Sequence, residues 1–204
     1  MFSTGRRVKG TLFVDYVRML RSRSDLDWSR RLEAVDLGYL VQRIDPEGWY
    51  PMETFERMGL AILDEIAQGD LVTVRMFGRG SIDWLCQKYE NLVAEGDARD
   101  TLMRFQVLRR GFFDYSALEI GSISDGEASI VVSYGMSPRA EEAASWQTLG
   151  FFERLLEVAG ATDVKARFGA RAWAGDLITT VELEWDQSPV SSNPGGDPSG
   201  PSRA

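Results

Sequence analysis

The sequence contains no histidine. Histidine is the usual general base near neutral pH and the commonest ligand of zinc, copper and haem iron. Its absence excludes serine–histidine and cysteine–histidine catalysis, and also zinc sites built from Cys and His clusters. Covalent catalysis by a carboxylate, by Lys or by a Ser–Lys pair stays open, but no residue pattern points to it. We therefore expect no catalytic residues, no metal site and no cofactor.

Cysteine and long apolar runs are also scarce. The single cysteine, Cys86, cannot form an intramolecular disulfide, which fits a reducing compartment. No stretch approaches the roughly 18 to 20 consecutive apolar residues of a membrane span. The N-terminus lacks the uninterrupted apolar core of a signal peptide. These absences predict a cytoplasmic protein.

The composition is that of a folded protein with a short polar tail. The chain has 204 residues, 44% of them hydrophobic and 11% aromatic, which is enough for one ordinary core. Residues 188–204 are rich in Pro, Gly and Ser and contain one aliphatic residue, Val190. Such a segment buries too little apolar surface to offset its ordering entropy. We predict a single α+β domain over residues 1–187 and a disordered tail over residues 188–204.

The net charge of −8 is unevenly distributed. Residues 1–31 carry more Arg and Lys than Asp, so a basic segment precedes an acidic body. A basic segment could dock an acidic partner or nucleic acid. The favoured interpretation is a solvated helix face with local charge pairing. The acidic body would repel a nucleic-acid backbone, and no recognised nucleic-acid motif accompanies the arginines.

Apolar residues recur at helical spacing through the first half of the chain. One predicted helix starts at Pro51, because proline at a first helical position loses no intrahelical hydrogen bond. Another segment is ambiguous because Gly78 and Gly80 weaken a helix, and we favour a helix in which these glycines allow close packing. The predicted helices span about residues 12–20, 27–44, 51–69, 71–89 and 98–112.

The spacing of apolar residues changes in the second half. Two segments around the turn-rich residues 124–127 predict a hairpin, and a long helix follows over about 138–158. Strands are predicted over 163–168 and 177–185, the last with Leu177, Thr179, Val181, Leu183 and Trp185 on one buried face. The predicted fold class is α+β. We expect a helical N-terminal half packed on a four-stranded antiparallel sheet in the order hairpin, long helix, hairpin.

Several aromatic residues are candidates to line a pocket for a small apolar ligand. Core packing is the simpler interpretation for most of them, yet small-molecule pockets are lined by residues of this type. The candidates are Trp49, Phe55, Trp84, Phe105, Trp146 and Phe152.

Other motifs favour structural roles. The GRG at residues 78–80 lacks the spacing of a phosphate loop. Glu141 and Glu142 could in principle do acid–base work, but we expect both on a solvated helix face. Cys86 is expected to be half-buried and inert.

Six segments in a fixed order carry a family resemblance. They are VKGTLF, GWYP, the glycine-bearing helix, RRGFFDYSALEIG, GFFERLLEVAGATDV and AGDLITTVELEW. Together they resemble a family of proteins of about this length, found as many paralogues in myxobacteria. The likeness covers about residues 8–185. That family is distantly similar to four-vinyl-reductase-type small-molecule-binding domains and, in fold, to the haem-nitric-oxide-binding and TRAPP-subunit superfamily.

The resemblance implies a fold and a mode of action. Its relatives are α+β domains with helices against a four-stranded antiparallel sheet, they frequently dimerise, and some contain an internal apolar ligand cavity. Many relatives carry two cysteines before the last strand, where this chain has Arg171 and Thr179. A metal or redox role of that pair is therefore not carried over. Haem ligation through histidine also fails.

Three functions follow as hypotheses. The first is a non-enzymatic regulatory or adaptor protein that acts through protein–protein contacts as a homodimer, with unknown partners. The alternative is a sensor that binds a small apolar ligand between the helices and the sheet. The third is an enzyme that uses carboxylates alone, which would need two converging acids with displaced pKa values.

Overall fold

Helices dominate the first half of the described chain, residues 5–187, and strands flank one long helix in the second half. The predicted disordered tail, residues 188–204, lies outside the residues that this computed structural model describes. The α-helices of the described part are α1 (Gly10–Ser22), α2 (Ala34–Val41), α3 (Met52–Ala61), α4 (Leu71–Lys88), α5 (Ala98–Leu108) and α6 (Pro138–Val158). Its strands are β1 (Arg7–Lys9), β2 (Trp49–Pro51), β3 (Leu118–Ser124), β4 (Glu127–Val132), β5 (Ala161–Ala170) and β6 (Thr179–Gln187).

Short polar side chains fix where two of these helices begin. The Asp70 carboxylate accepts hydrogen bonds from the N–H groups of Val72 and Thr73 at the start of α4. The Asp97 carboxylate accepts from the N–H of Asp100 at the start of α5. These caps satisfy N–H groups that have no partner inside the helix. The ambiguous segment over residues 71–89 is thus a helix, as predicted.

Two of the helix predictions are wrong. Pro51 is not the first residue of α3: it precedes the helix and belongs to β2, whose Tyr50 pairs with Val8 of β1. The helix predicted over residues 27–44 is divided into a 3-10 turn (Trp28–Arg30) and α2. A capping box formed by Glu33 and Asp36 starts α2 as a separate helix.

Leu177 was predicted to be buried in the last strand but is completely exposed. It lies in the loop before β6, because a 3-10 turn over Ala172–Ala174 and a left-handed Gly175 carry the chain away from the sheet first. Thr179, Val181, Leu183 and Trp185 are buried as predicted.

The four longer strands form one antiparallel sheet in the order β3-β4-β6-β5. Its inner face presents Ile130, Val132, Val181 and Leu183, all buried, to the rest of the molecule. Helix α6 contacts β5 and β6 on one side and α4 and α5 on the other. The predicted α+β class and four-stranded antiparallel sheet are confirmed.

Two glycines bring α4 and α6 into close contact. A Cβ atom on Gly78 would lie 1.9 Å from the carbonyl oxygen of Gln147, and one on Gly150 would lie 2.0 Å from that of Arg75. The Arg75 and Arg79 guanidinium groups form ion pairs with Glu153 across the same contact. The prediction that glycine allows close helix packing is confirmed at Gly78 and wrong at Gly80, where an added Cβ would meet no atom within 4 Å.

The basic N-terminal segment is tied to the rest of the molecule. Arg7 forms an ion pair with Asp114 at 2.8 Å. Within the segment, Arg18 pairs with Asp15, Arg23 with Asp25 and Arg30 with Asp27. These three are the local charge pairing that the sequence favoured. No helix among residues 5–187 is long and apolar enough to cross a membrane.

Candidate functional site

A partly open cavity of about 100 Å³ lies between the helices and the first strand of the sheet. It is bounded by α1, α3, α4, α5 and α6, by the loop that follows α5, and by β3. Aromatic rings form most of the wall. They belong to Tyr16, Phe55, Trp84, Phe105, Phe112, Phe113, Tyr134 and Phe151.

Helical periodicity explains why the cavity takes side chains from three long helices. Helix α1 contributes Leu12, Asp15 and Tyr16, which are spaced three and four residues apart and therefore share one face. Helix α4 contributes residues 81, 84 and 85 with the same spacing, and α6 contributes residues 144, 147, 148 and 151. The cavity is thus the place where three amphipathic faces meet without filling the space between them.

Most polar groups of the wall are paired with one another. The Tyr16 hydroxyl donates to Oε1 of Gln147 at 2.6 Å. The Tyr134 hydroxyl bonds Oγ1 of Thr148 at 2.5 Å, and Thr148 in turn donates to the carbonyl of Ala144. Burial raises the pKa of both tyrosines, so both stay neutral near pH 7. With these groups satisfied internally, the wall offers a mainly apolar surface.

A second, smaller cavity of about 20 Å³ adjoins the first. Tyr16, Phe55, Ala144 and Gln147 line both cavities. The hydrogen bond between Tyr16 and Gln147 therefore belongs to the wall that the two spaces share.

Three of the six predicted pocket residues line the larger cavity: Phe55, Trp84 and Phe105. Their contact with a ligand stays a prediction. Phe105 is almost completely buried, and its ring packs edge-on against Phe152 with 5.1 Å between ring centroids.

The other three candidates lie outside that wall. Phe152 is completely buried behind Phe105 and belongs to the core. Trp49 is more than one third exposed on β2, where the ammonium of Lys9 lies 5.0 Å from its ring centroid. Trp146 points toward β5 and packs edge-on against Phe168 at 5.5 Å. The sequence shows which face of a helix a residue lies on. It does not show which other element that face packs against.

Several wall residues were not among the sequence candidates. Asp15 and Tyr16 follow Leu12 at helical spacing, so the periodicity of α1 could have found them. Tyr134 lies in the loop between β4 and α6, and it reaches the cavity because its hydroxyl bonds Thr148. No local pattern signals such a contact.

The prediction that Glu141 lies on a solvated helix face is wrong. Glu141 is buried, not solvated, and its two carboxylate oxygens accept hydrogen bonds from the N–H groups of Tyr134 and Met136, each at 2.9 Å. Glu142 is half-buried. Glu141 therefore fixes the loop that precedes α6 and holds Tyr134 in place, because the carboxylate satisfies N–H groups that would otherwise be buried without partners.

Groups for other chemistry are sparse around the cavity. Cys86 is half-buried, does not line the cavity, and has its pKa raised by burial and by Asp83. Residues 5–187 contain no group of three or more His, Cys, Asp or Glu side chains able to hold a metal ion. Asp15 is the one acidic residue in the wall of the larger cavity.

No protein-family model and no curated protein matches this sequence. The structure is similar to solved H-NOX (haem-nitric-oxide-binding) proteins. An Fe(II) unliganded H-NOX protein from K. algicida is 11% identical, with a TM-score of 0.60, 89% of this chain covered and 98% of that one. An oxygen-binding H-NOX domain related to soluble guanylate cyclases is 14% identical, with a TM-score of 0.54 and coverage of 87% and 94%. A mutant H-NOX protein from T. tengcongensis is 15% identical, with a TM-score of 0.54 and coverage of 87% and 97%.

These likenesses show the fold. The resemblance to haem-nitric-oxide-binding proteins is thereby confirmed at the level of fold. The narrower kinship with myxobacterial proteins stays a prediction.

Proposed function

We propose that this protein is a sensor domain that binds a small apolar molecule in the cavity between its helices and its sheet. The observation that carries the proposal is the cavity itself, about 100 Å³ in volume and walled by aromatic rings. Apolar cavities of this order take up ring-sized hydrocarbons. The paired hydroxyl groups of the wall leave little to hydrogen-bond a water molecule.

The fold supports sensing more than it supports an adaptor role. One structural neighbour is described as an oxygen-binding domain related to soluble guanylate cyclases, so that protein binds a small molecule. We therefore rank the ligand-sensing hypothesis above the regulatory adaptor that the sequence favoured. Homodimerisation and protein partners stay predictions. An enzyme based on two converging acids has little support, because the cavity wall holds a single carboxylate, Asp15.

A haem does not fit this cavity. Proteins hold haem iron through His, Cys, Met or Tyr, and the cavity wall contains none of the first three. Its tyrosines, Tyr16 and Tyr134, are hydrogen-bonded, and burial raises the pKa of each, which disfavours a phenolate ligand. The haem carboxylates would meet Asp15 and no Arg or Lys in that wall. A volume of about 100 Å³ also suits a molecule far smaller than a porphyrin.

Binding of toluene tests the proposal directly. Toluene has a single ring and no polar group, so it probes the apolar volume alone. We expect saturable quenching of tryptophan fluorescence on titration, and loss of that change in Trp84→Phe, because Trp84 is the one tryptophan of the six among the residues that line the cavity. Native mass spectrometry of the protein purified from its own cells should also show a co-purifying small molecule.

A cavity-filling variant provides the control for location. Ala144 lines the cavity, so Ala144→Leu should occupy part of the volume and abolish toluene binding. Ala34→Leu makes the same change at an exposed position at the start of α2 and should leave binding unchanged. If toluene produces no saturable signal, or binds Ala144→Leu as well as the unmodified protein, the cavity is not a ligand site.

A further inference from the structure

The wall of the larger cavity carries one charged side chain, Asp15. It lies on α1 between Leu12 and Tyr16, both of which also line the cavity. About one third of the Asp15 side chain is exposed, so the carboxylate lies at the edge of the cavity and not in its interior. An ionised group in such a position faces water on one side and an apolar volume on the other.

The protein compensates this charge only weakly. The nearest cation is Arg18, one turn further along α1, whose Nη1 lies 3.5 Å from Oδ1 of Asp15 and whose side chain is 60% exposed. An exposed pair at this spacing is worth little, because water and salt screen it. Burial raises the pKa of Asp15, and Arg18 opposes that shift. Desolvation thus outweighs the ion pair.

Among the described residues, no Arg or Lys other than Arg18 forms an ion pair with Asp15. The wall of the larger cavity contains no Arg or Lys. The Nζ of Lys88 lies 5.7 Å from the ring centroid of Trp84 in the cavity wall. That ammonium already donates to Oγ1 of Thr11 at 2.7 Å and pairs with Glu47 at 3.1 Å.

The aromatic wall of the cavity is suited to a ligand that contains an apolar ring. Trp84, Phe105 and Phe151 line the cavity with aromatic rings, against which another ring can pack. A group that binds here needs an apolar body for the rings and a positive, hydrogen-bond-donating end for Asp15. Anionic molecules are disfavoured, because Asp15 would repel them and the wall offers no compensating cation.

We propose that the ligand class of this cavity is a small primary amine with a one-ring apolar body, whose ammonium group pairs with the carboxylate of Asp15. This proposal rests on the proposed ligand-binding function. The body fills the volume between Trp84 and Phe105, and the ammonium lies at the open edge, where it keeps part of its hydration. A charge-assisted hydrogen bond to a partly desolvated carboxylate supplies the selectivity over neutral molecules of the same shape.

Three probes of nearly equal size test this assignment: benzylamine, benzyl alcohol and benzoate, titrated at pH 7 with tryptophan fluorescence. Benzylamine is protonated at this pH, and the other two are neutral and anionic. We expect benzylamine to bind at least about tenfold more tightly than benzyl alcohol, since a hydrogen bond to a charged partner is worth that much. Benzoate should bind more weakly than either.

The variant Asp15→Asn removes the charge and keeps the side-chain shape. It should lower benzylamine affinity to that of benzyl alcohol, leave toluene and benzyl alcohol affinities unchanged, and raise benzoate affinity. Asp25→Asn provides the matched control, because Asp25 is exposed and pairs with Arg23 away from the cavity. It should change none of the four affinities.

The outcomes separate this proposal from the proposed function. If toluene binds but benzylamine binds no more tightly than benzyl alcohol, or Asp15→Asn keeps the preference for the amine, the amine assignment is wrong and the ligand site stands. If toluene also fails to bind, the cavity itself is not a ligand site. Because the probe series uses the unmodified protein, the result does not depend on the folding of any variant.

Discussion

At the scale of single residues, a charge pair with a buried carboxylate, outside the cavity, joins two helices. The Asp36 side chain is completely buried, and Arg57 donates to both of its carboxylate oxygens, from Nε at 2.7 Å and from Nη2 at 2.8 Å. Asp36 also accepts from the N–H of Glu33 at the start of α2. The pair joins α2 to α3, and replacing Asp36 removes charge-assisted hydrogen bonds of Arg57, whose side chain is 29% exposed and also pairs with Glu33.

Asp36→Asn should therefore lower the free energy of unfolding by about 2 kcal/mol, as expected when hydrogen bonds between charged groups are weakened. Urea unfolding monitored by circular dichroism measures this. Asp25→Asn breaks an exposed pair with Arg23 and should cost less than about 1 kcal/mol. Equal losses in the two variants would mean that burial of Asp36 does not strengthen its pair.

Asp36 also makes the free energy of unfolding depend on pH. Burial of Asp36 opposes its ionisation, but hydrogen bonds from Arg57, Thr54 and Glu33 outweigh burial and lower the pKa of Asp36. A lowered folded-state pKa stabilises the protein above the unfolded-state value, and this contribution disappears as the pH falls through the folded-state value.

The difference in unfolding free energy between the unmodified protein and Asp36→Asn should thus be constant near neutral pH. It should shrink below about pH 3.9, the ordinary pKa of an aspartate. Unfolding curves at a series of pH values between neutral and acid test this. A difference that grows on acidification would contradict the sign of the shift.

At the scale of secondary-structure elements, the crossing of α4 and α6 positions the candidate site. Both helices contribute wall residues, and Gly78 on α4 lies directly against the backbone of Gln147, which is itself part of the wall. Close approach of the two helices therefore fixes the width of the cavity on this side. A side chain at Gly78 would separate the helices, because the atom it meets is a backbone oxygen that no rotamer change can move.

Gly78→Ala should lower the free energy of unfolding by about 3 kcal/mol, as expected for overpacking of a tight contact. Gly80→Ala is a matched control two residues away on the same helix, where an added Cβ meets nothing within 4 Å. It should raise stability by roughly 0.5 to 1 kcal/mol, because alanine is the better helix former. Urea unfolding of both variants should give shifts of opposite sign, and a loss in both would place the effect elsewhere than at the helix contact.

At the scale of the whole molecule, the cavity lies where the helical half meets the sheet. Its wall draws on residues from Leu12 to Phe151, so a ligand contacts elements that are far apart in the chain. A molecule that binds there binds the folded state alone, because unfolding disperses the wall. Ligand binding and global stability are therefore linked.

Toluene at one hundred times its dissociation constant should raise the free energy of unfolding by about 2.7 kcal/mol. Thermal unfolding with and without toluene measures the shift. Ala144→Leu should show no such shift, while Ala34→Leu should show the full one. A shift that persists in Ala144→Leu would indicate binding at another place.

Much of the fold could be predicted because periodicity and caps are local properties. The stripe through residues 12–20 predicted α1, and the alternation from Thr179 to Trp185 predicted which face of β6 is buried. The boundaries failed where a cap or a turn interrupts the pattern, as at Glu33 and Gly175. Those features depend on one or two residues, so they leave little trace in a pattern averaged over a window.

The sequence by itself determined which chemistry this protein lacks and which side chains turn inward. The absence of histidine excludes catalysis and metal ligation by histidine in this sequence, and helical spacing placed Phe55 and Phe105 among the apolar residues of predicted helices. Only the tertiary structure decided which buried faces meet around an open volume and which fill the core. Burial is a property of one segment, whereas a cavity depends on how several segments pack at a distance, and side chains such as Asp15 and Tyr134 acquire their role only from that packing.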